Sequence, residues 1–137
     1  MGHNTTSQEV FLFKTYKLGK LSVKKMKKEI AITQHVCGHP NIIQLHHVVK
    51  QSLTGYPVLL FEFVNNTNYH TFYPTLSPGD IRYYAYELLK GIAFAHRRGV
   101  VHKDVKPANV MIHHDQRKLK IIDWGLSEFY MPGEIIL

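Results

Sequence analysis

The side chains best suited to chemistry lie in one short stretch, where Asp104, Lys106, Asn109 and Asp123 follow one another with small gaps. Phosphoryl transfer from a metal-bound nucleotide needs a carboxylate near the accepting hydroxyl, a cation near the phosphate and two oxygen ligands for Mg²⁺. Taken alone, either aspartate is explained equally well as the cap of a loop. Because the four residue types occur together in this order, the stretch indicates a site for phosphoryl transfer.

These residues need elements that hold them in place, and residues 77–98 form the clearest one. Ser77-Pro78-Gly79-Asp80 is a capping box with proline at the first helical position. The apolar stripe that follows consists of Ile81, Ala85, Leu88, Ile92 and Ala95. Basic residues and Gly99 then end the segment. The pattern predicts a helix of roughly 30 Å that packs by one face.

The rest of the chain predicts several strands and one more helix. We expect that helix over residues 22–35, because Val23, Met26, Ile30 and Thr33 recur at helical spacing. Branched and aromatic residues predict strands elsewhere, with a hairpin turn at residues 53–55. The predicted strands are residues 10–16, 45–50, 56–64, 110–112 and 119–122. No internal repeat relates these segments to one another.

Composition places the chain among globular proteins. Its 137 residues fit one small domain or a piece of a larger one, and 45% of them are hydrophobic. The single cysteine suits a reducing compartment, the cytoplasm or the nucleus. No apolar run approaches the roughly 20 residues of a membrane span. A formal net charge of +7 suggests an acidic partner.

Ten histidines are many for this length, yet no metal-binding spacing organises them. His46 and His47 are adjacent, as are His113 and His114. Since neighbouring residues of a strand point to opposite faces, we expect each pair to chelate poorly and to be ordinary surface histidine.

This pattern resembles the eukaryotic protein kinases from about Val10 to Glu134, and among them the catalytic subunits of casein kinase II. Asp123-Trp124-Gly125 carries tryptophan where most kinases have phenylalanine, as this family does. Other strings typical of the family are Val64-Asn65-Asn66-Thr67, Asn109-Val110-Met111-Ile112, Phe129-Tyr130, Pro132-Gly133 and the lysine-rich helix. The resemblance implies a truncated, two-lobed α+β kinase fold. Residues 10–64 would be a small lobe without its Gly-rich loop, and residues 65–137 the start of the large lobe.

The resemblance also assigns a role to each matching position. Asp104 would orient and deprotonate the substrate hydroxyl, and Lys106 would steady the transferring phosphoryl group. Asn109 and Asp123 would ligate Mg²⁺ through oxygen. The nucleotide would be held by Lys14 and Glu29 at the α- and β-phosphates, by the main chain of Glu62 and Val64 at the adenine edge, and by Met111 and Ile122 under the base. These residues also have simpler explanations. Met111 and Ile122 could be plain core residues, which is compatible with a place under the base, and Lys14 could be a solvated lysine at the end of a strand.

Four lysines on the predicted helix, Lys24, Lys25, Lys27 and Lys28, leave three interpretations open. They could form an ordinary solvated helix face. The resemblance implies that they recognise acidic residues of a protein substrate, which their charge complements. They could also bind a polyanion such as nucleic acid or heparin by neutralising phosphates.

Departures from the kinase pattern at several places bear on activity. The sequence contains no Gly-x-Gly-x-x-Gly segment, and no Ala-Pro-Glu-type segment follows Gly133. Lys103 replaces the arginine of the His-Arg-Asp motif, which keeps the charge but loses bidentate geometry. Leu12 stands where the family has a smaller residue over the adenine. Thr33 stands where kinases usually bury an apolar side chain.

Three functions therefore compete. The first is a serine/threonine protein kinase of the casein kinase II type. It would use Mg²⁺ to transfer the γ-phosphoryl of ATP, or of GTP, to acidic protein substrates, with a casein kinase II regulatory subunit as a partner. The second is a truncated, inactive pseudokinase that acts as a binding protein. The third and weaker one is a basic polyanion-binding module.

Overall fold

The computed structural model describes residues 10–16, 22–131 and 133, together with the backbone of residues 2–3. Pro132 and Glu134, which the resemblance includes, lie outside the described residues. Helices and strands are both present, so the predicted α+β class is confirmed. No helix in this part of the chain is long and apolar enough to cross a membrane.

An antiparallel sheet dominates the first half of the chain. Its strands are β1 (Gly2–His3), β2 (Val10–Thr15), β3 (Leu45–Lys50) and β4 (Pro57–Glu62), hydrogen-bonded in the order β1-β2-β4-β3. The strands predicted at 10–16 and 45–50 are confirmed to within a residue. The strand predicted at 56–64 is shorter, because the chain leaves the sheet at Glu62 and Val64 lies in the connector that follows.

A β-bulge in β3 overturns one prediction. The ladder between β3 and β4 shifts register between Leu45 and His47, so His46 is an extra residue in the strand. Both histidine rings then contact the ring of Phe11, at centroid distances of 5.6 Å for His46 and 6.4 Å for His47. The prediction that this pair points to opposite faces was wrong, because a bulge suspends the alternation of side chains.

The helix predicted over residues 22–35 is confirmed as α1 (Val23–Val36). Ser22 caps it by accepting a hydrogen bond of 3.3 Å from the Lys25 main-chain nitrogen. Its buried residues are Met26, Glu29, Ile32, Thr33 and Val36. Val23, which we predicted on this face, is exposed. The buried face is rotated relative to the prediction because Ile32 and Val36 join the main core.

The long helix predicted from the capping box is confirmed as α3 (Pro78–Arg97), which follows the short α2 (Tyr69–Phe72). The Ser77 hydroxyl accepts from the Asp80 main-chain nitrogen at 3.1 Å, and the Asp80 carboxylate accepts from the Ser77 nitrogen at 3.2 Å. Gly99 follows the helix with φ +70°, a left-handed conformation that glycine adopts without strain. Ile81, the first residue of the predicted apolar stripe, is 54% exposed.

Two short antiparallel pairs of strands complete the fold. β5 (Val100–Val101) pairs with β8 (Glu128–Phe129), and β6 (Val110–His113) pairs with β7 (Lys118–Ile121), all antiparallel. One continuous core connects these pairs to α1 and α3; its fully buried members include Ile32, Val36, Ile42, Val100, Ile121 and Trp124. Trp124 therefore anchors the stretch that carries Asp123 to the centre of the molecule.

The helix α3 approaches β7 very closely at Gly91. A Cβ atom added at Gly91 would lie 2.7 Å from Ile121 Cδ1 and 3.1 Å from Asn41 Cβ. Asn41 stabilises the same contact, since its Nδ2 donates to Glu87 Oε2 on α3 at 2.8 Å and to the Leu119 carbonyl on β7 at 3.3 Å. The absence of a side chain at Gly91 thus sets the distance between α3 and the strands that precede Asp123.

Gly91→Ala is therefore expected to destabilise the fold by about 1–3 kcal/mol, the usual cost of overpacking a tight core. Urea unfolding followed by circular dichroism measures the effect. Gly79→Ala is the matched control, because the nearest atom to its added Cβ is Ser77 Oγ at an ordinary 3.6 Å. Equal stability of the two variants would contradict the expectation.

Candidate active site

A lysine between two carboxylates links the sheet, α1 and the Asp123 segment. Lys14 Nζ on β2 donates to Glu29 Oε1 at 2.6 Å and to Asp123 Oδ1 at 2.8 Å. Glu29 is only 4% exposed, whereas Lys14 is 33% exposed, so the cluster opens to solvent on one side. The acid that α1 carries on its inner face thus has a partly exposed lysine of β2 as its cationic partner.

The charges in this cluster stabilise one another. Burial lowers the pKa of Lys14, but hydrogen bonds to Asp123 and Glu29 outweigh that effect and raise the pKa above its ordinary value. Burial likewise acts to raise the pKa of Asp123, but the Lys14 ammonium reverses the shift and lowers it. Lys14 is therefore an ammonium and Asp123 a carboxylate at neutral pH.

The backbone around Asp123 is specialised for this contact. Asp123 has φ +58°, a left-handed conformation that residues with a side chain seldom adopt. The main-chain nitrogen of Gly125 donates to Asp123 Oδ1 at 3.3 Å. A Cβ atom at Gly125 would lie 3.2 Å from that oxygen and 3.4 Å from Glu29 Oε2, so glycine allows the close approach of α1.

The second cluster joins three of the predicted catalytic residues. Asn109 Nδ2 donates to the Asp104 carbonyl at 2.9 Å and to Asp104 Oδ2 at 2.8 Å. Lys106 Nζ lies 2.8 Å from the same carboxylate oxygen. The Lys106 hydrogen bond is the main cause that lowers the pKa of Asp104, so Asp104 is ionised and can accept a proton at neutral pH.

His102, which carries no assigned role in the sequence analysis, connects the two clusters. Its Nε2 is 3.0 Å from the Ile122 carbonyl, and its Nδ1 accepts from the Asp104 nitrogen at 3.2 Å. Burial lowers the pKa of His102, so the ring is neutral with its proton on Nε2. It packs edge-on against Trp124, with centroids 4.6 Å apart. The only signal in the sequence was its place two residues before Asp104.

Glu128 is a further residue that the sequence analysis missed. Its Oε1 lies 3.3 Å from Lys28 Nζ on α1, and its Oε2 lies 2.8 Å from Lys103 Nζ beside the Asp104 loop. The Lys103 hydrogen bond, followed by that of Lys28, lowers the pKa of Glu128. Lys28 is therefore held in an ion pair, whereas Lys24, Lys25 and Lys27 are exposed on the outer face of α1.

A cavity of about 530 Å³ runs along α3, but the cavity that reaches the Lys14 cluster is a separate one of about 380 Å³. Most of the side chains that line it are apolar, among them Leu12, Met111 and Ile122. Lys14, Glu29 and Asp123 line it as well. A cavity that combines apolar walls with a lysine and two carboxylates suits a ligand that has a flat ring and metal-bound phosphates.

Glu62 and Val64 do not line this cavity. The Glu62 carboxylate is occupied elsewhere: Oε1 lies 2.8 Å from Lys120 Nζ and accepts from the Gln44 nitrogen at 2.8 Å. Val64 is buried just beyond β4, and among the described residues no hydrogen bond engages its main-chain groups. Any contact of these two residues with a base would be made by the backbone.

The polar atoms that remain fit a magnesium ion. Asn109 donates its Nδ2 hydrogens to Asp104, so its Oδ1 remains available as an acceptor. Asp123 uses Oδ1 for Lys14 and Gly125, which leaves Oδ2. An amide oxygen and a carboxylate oxygen are the hard ligands that Mg²⁺ prefers when phosphates and water complete its shell. Residues 10–16, 22–131 and 133 contain no group of three His, Cys, Asp or Glu side chains that could hold a metal alone.

Comparison with known families matches the chain almost from end to end. The family model described as "Protein kinase domain" covers residues 1–135. The matched range includes both charged clusters and the cavity that Lys14, Glu29 and Asp123 line.

Proposed function

Because this chain belongs to the protein kinase domain family, we propose that it is a serine/threonine protein kinase of the casein kinase II type. It transfers the γ-phosphoryl of ATP, or of GTP, to serine or threonine in acidic protein segments. The observation that carries the proposal is that Lys14, Glu29 and Asp123 form one charged cluster, while Asp104, Lys106 and Asn109 form another beside it.

Each side chain has a task that its geometry supports. Lys14, fixed by Glu29, binds the α- and β-phosphates. The ionised carboxylate of Asp104 accepts the proton of the attacking hydroxyl. Lys106, which shares an oxygen of Asp104, places a positive charge next to the point of transfer. Met111 and Ile122 pack under the base, and the backbone at Glu62 and Val64 binds its edge.

Asn109 Oδ1 and Asp123 Oδ2 would hold Mg²⁺. When bound, the ion neutralises the charge that develops on the phosphate oxygens. The hydrogen bonds from Asn109 Nδ2 to Asp104 keep the amide turned so that its oxygen is presented. Asp123 keeps its position through the Gly125 nitrogen even when Lys14 moves to the phosphates.

The casein kinase II type is supported by the Asp104-to-Tyr130 region. Trp124 is 2% exposed and lies against His102, which fixes the segment that bears Asp123. Glu128 forms ion pairs with both Lys103 and Lys28, so its carboxylate links α1 to the Asp104 loop. We propose that this bridge holds the site in its active arrangement without phosphorylation.

Acidic substrates would meet the exposed lysines of α1. Lys24, Lys25 and Lys27 are open to solvent, and Lys28, which is also exposed, is paired with Glu128. We also propose a casein kinase II regulatory subunit as a partner, since β3 exposes Val48 and Val49 at the edge of the sheet. The cytoplasm or the nucleus remains our proposed location.

The function is tested with Mg·ATP and a serine peptide followed by aspartates, compared with the same peptide carrying asparagines. We expect phosphate transfer to the acidic peptide only. Changing Lys24, Lys25 and Lys27 together to alanine should raise KM for that peptide about tenfold and leave KM for ATP unchanged, because the lysines act by charge. The control changes the exposed Lys50, Arg82 and Lys118 to alanine, which removes the same net charge. No transfer by the natural chain would contradict the proposal.

A pseudokinase that binds partners is the second candidate, and one observation favours it. Leu12 lines the same cavity as Lys14, where its side chain would crowd a bound base. A pseudokinase of this kind would fold normally and show neither transfer nor thermal stabilisation by Mg·ATP. A polyanion-binding module would instead bind heparin with a steep salt dependence that survives loss of Asp104 and Asp123.

A further inference from the structure

Tyr16 lies directly after β2, two residues beyond Lys14. Alternate residues of an extended strand share a face, so the two side chains point to the same side of the sheet, toward α1. The residue as a whole is partly exposed, but its hydroxyl oxygen is buried. Among the described residues that hydroxyl makes no well-formed hydrogen bond. A buried donor without a partner is unusual, since such groups are nearly always satisfied.

The surroundings of this hydroxyl are acidic. Burial is the largest cause that raises the pKa of Tyr16, and the Glu29 carboxylate is the next, first through its charge and then as a hydrogen-bond acceptor of the hydroxyl, ahead of Asp123. The phenol therefore keeps its proton throughout the physiological range and can only gain by donating it to an acceptor. The nearest charged acceptor is the carboxylate that also holds Lys14.

Glu29 has an oxygen to receive it. Its Oε1 is taken by Lys14 Nζ at 2.6 Å. Its Oε2 faces the Cα of Gly125, where only the missing side chain of glycine leaves room. No well-formed hydrogen bond to Oε2 occurs among the described residues, so a donor that follows β2 and an acceptor on α1 interact without a completed hydrogen bond.

We propose that Tyr16 is a positioning residue, whose hydroxyl donates to Glu29 Oε2 when Mg·ATP occupies the site. The inference rests on the proposed kinase function. In the empty site Lys14 is shared by Glu29 and Asp123. Bound Mg·ATP gives both Lys14 and Asp123 new partners, and Glu29 must then hold Lys14 alone. A hydrogen bond from Tyr16 fixes the carboxylate in that state and satisfies a group that is unpaired in the empty one.

Tyr16→Phe tests this role, because it removes the hydroxyl and keeps the ring. We expect isothermal titration to show Mg·ATP binding weakened by about threefold to tenfold, the coupling usual for members of one hydrogen-bond network. KM for Mg·ATP should rise by the same factor, with a smaller change in kcat. The melting temperature of the nucleotide-free protein should stay equal or rise, since the variant loses an unpaired donor. Tyr86→Phe, at an exposed tyrosine of α3, should change nothing.

Removal of Mg²⁺ separates positioning from packing. With EDTA present, Asp123 keeps its bond to Lys14, so Tyr16→Phe should weaken ATP binding less than it does with Mg²⁺. A lower melting temperature without nucleotide, or equal weakening with and without Mg²⁺, would show a packing role and overturn the inference. Identical binding by Tyr16→Phe and the natural chain would overturn it and leave the kinase proposal standing. Failure of the natural chain to bind Mg·ATP at all would overturn both.

Discussion

Asp104→Asn is expected to lower kcat for phosphoryl transfer by about a thousandfold, within the range that general base catalysis contributes. The carboxylate accepts two hydrogen bonds at Oδ2, from Asn109 Nδ2 at 2.8 Å and from Lys106 Nζ at 2.8 Å. An asparagine can turn its amide oxygen toward both donors and keep the loop folded. It cannot take up the proton of the attacking hydroxyl, so the loss should fall on the chemical step.

The nucleotide should bind the Asp104→Asn variant almost normally. Asp104 does not line the cavity that contains Lys14, Met111 and Ile122, so KM for Mg·ATP is expected to change by less than about twofold. Steady-state kinetics with the acidic peptide measure both constants. Asp115→Asn is the matched control, because Asp115 is an exposed aspartate in the turn between β6 and β7.

An Asp104→Asn variant that retains most of the transfer rate would exclude this residue as the base. Loss of binding and of transfer together, with a lowered melting temperature, would instead mean that Asp104 acts mainly through the folding of its loop. Equal inactivity of the natural chain and the variant would favour the pseudokinase.

Local rules predicted those elements whose signals are local. The capping box at Ser77 and Asp80 fixes the start of α3 through contacts within four residues, and the helix begins where the box predicts. The strand that carries Lys14 was predictable from its branched and aromatic residues. The resemblance placed Lys14 and Glu29 at the same phosphates, and their pairing agrees with the rule that a buried acid requires a cation.

Features that depend on register or on distant partners could not be predicted in this way. The bulge that turns His46 and His47 to one side follows from how β3 pairs with β4. Glu128 meets Lys28 across a hundred residues of sequence, and no local pattern marks that contact. The exposed Ile81 shows the same limit, since helical spacing predicts a stripe but not what covers it. The division of the chain near residue 64 into two lobes stays a prediction.

Lys14→Met is expected to produce the largest effect on stability. It leaves the Glu29 carboxylate buried without its cation, close to the Asp123 carboxylate that the same lysine neutralised. Breaking a buried ion pair by removing one partner costs about 3–5 kcal/mol, and because Lys14 is partly open to solvent we expect a loss near the lower end, about 3 kcal/mol, at pH 8. Mg·ATP binding should be lost as well, because the phosphates lose their cation.

The pH dependence of stability shows whether the variant is destabilised by the loss of the Lys14 charge. In the natural chain the pKa of Asp123 is lowered, so its contribution is complete above the ordinary value of 3.8 and is lost only as the pH falls through the folded value. The pKa of Lys14 is raised, so its contribution is complete below 10.5 and is lost only at still higher pH. Both contributions are therefore constant between pH 5 and 8, the window in which the variant is compared.

The variant should behave differently in that window. Without Lys14, the buried Glu29 is better accommodated once it binds a proton, so the destabilisation should shrink as the pH falls from 8 to 5. Urea unfolding of both proteins at each pH gives the difference between their free energies of unfolding. The histidines are the same in both proteins, so their contribution drops out of this difference. Lys24→Met, at an exposed lysine of α1, should show no loss at any pH. The double variant Lys14→Met with Glu29→Gln should recover most of the stability, because the buried side chain at position 29 then carries no charge. Two results would mean that Lys14 stabilises the fold by packing and not as the partner of Glu29: a loss of stability in Lys14→Met that is the same at every pH, or a double variant as unstable as the single one.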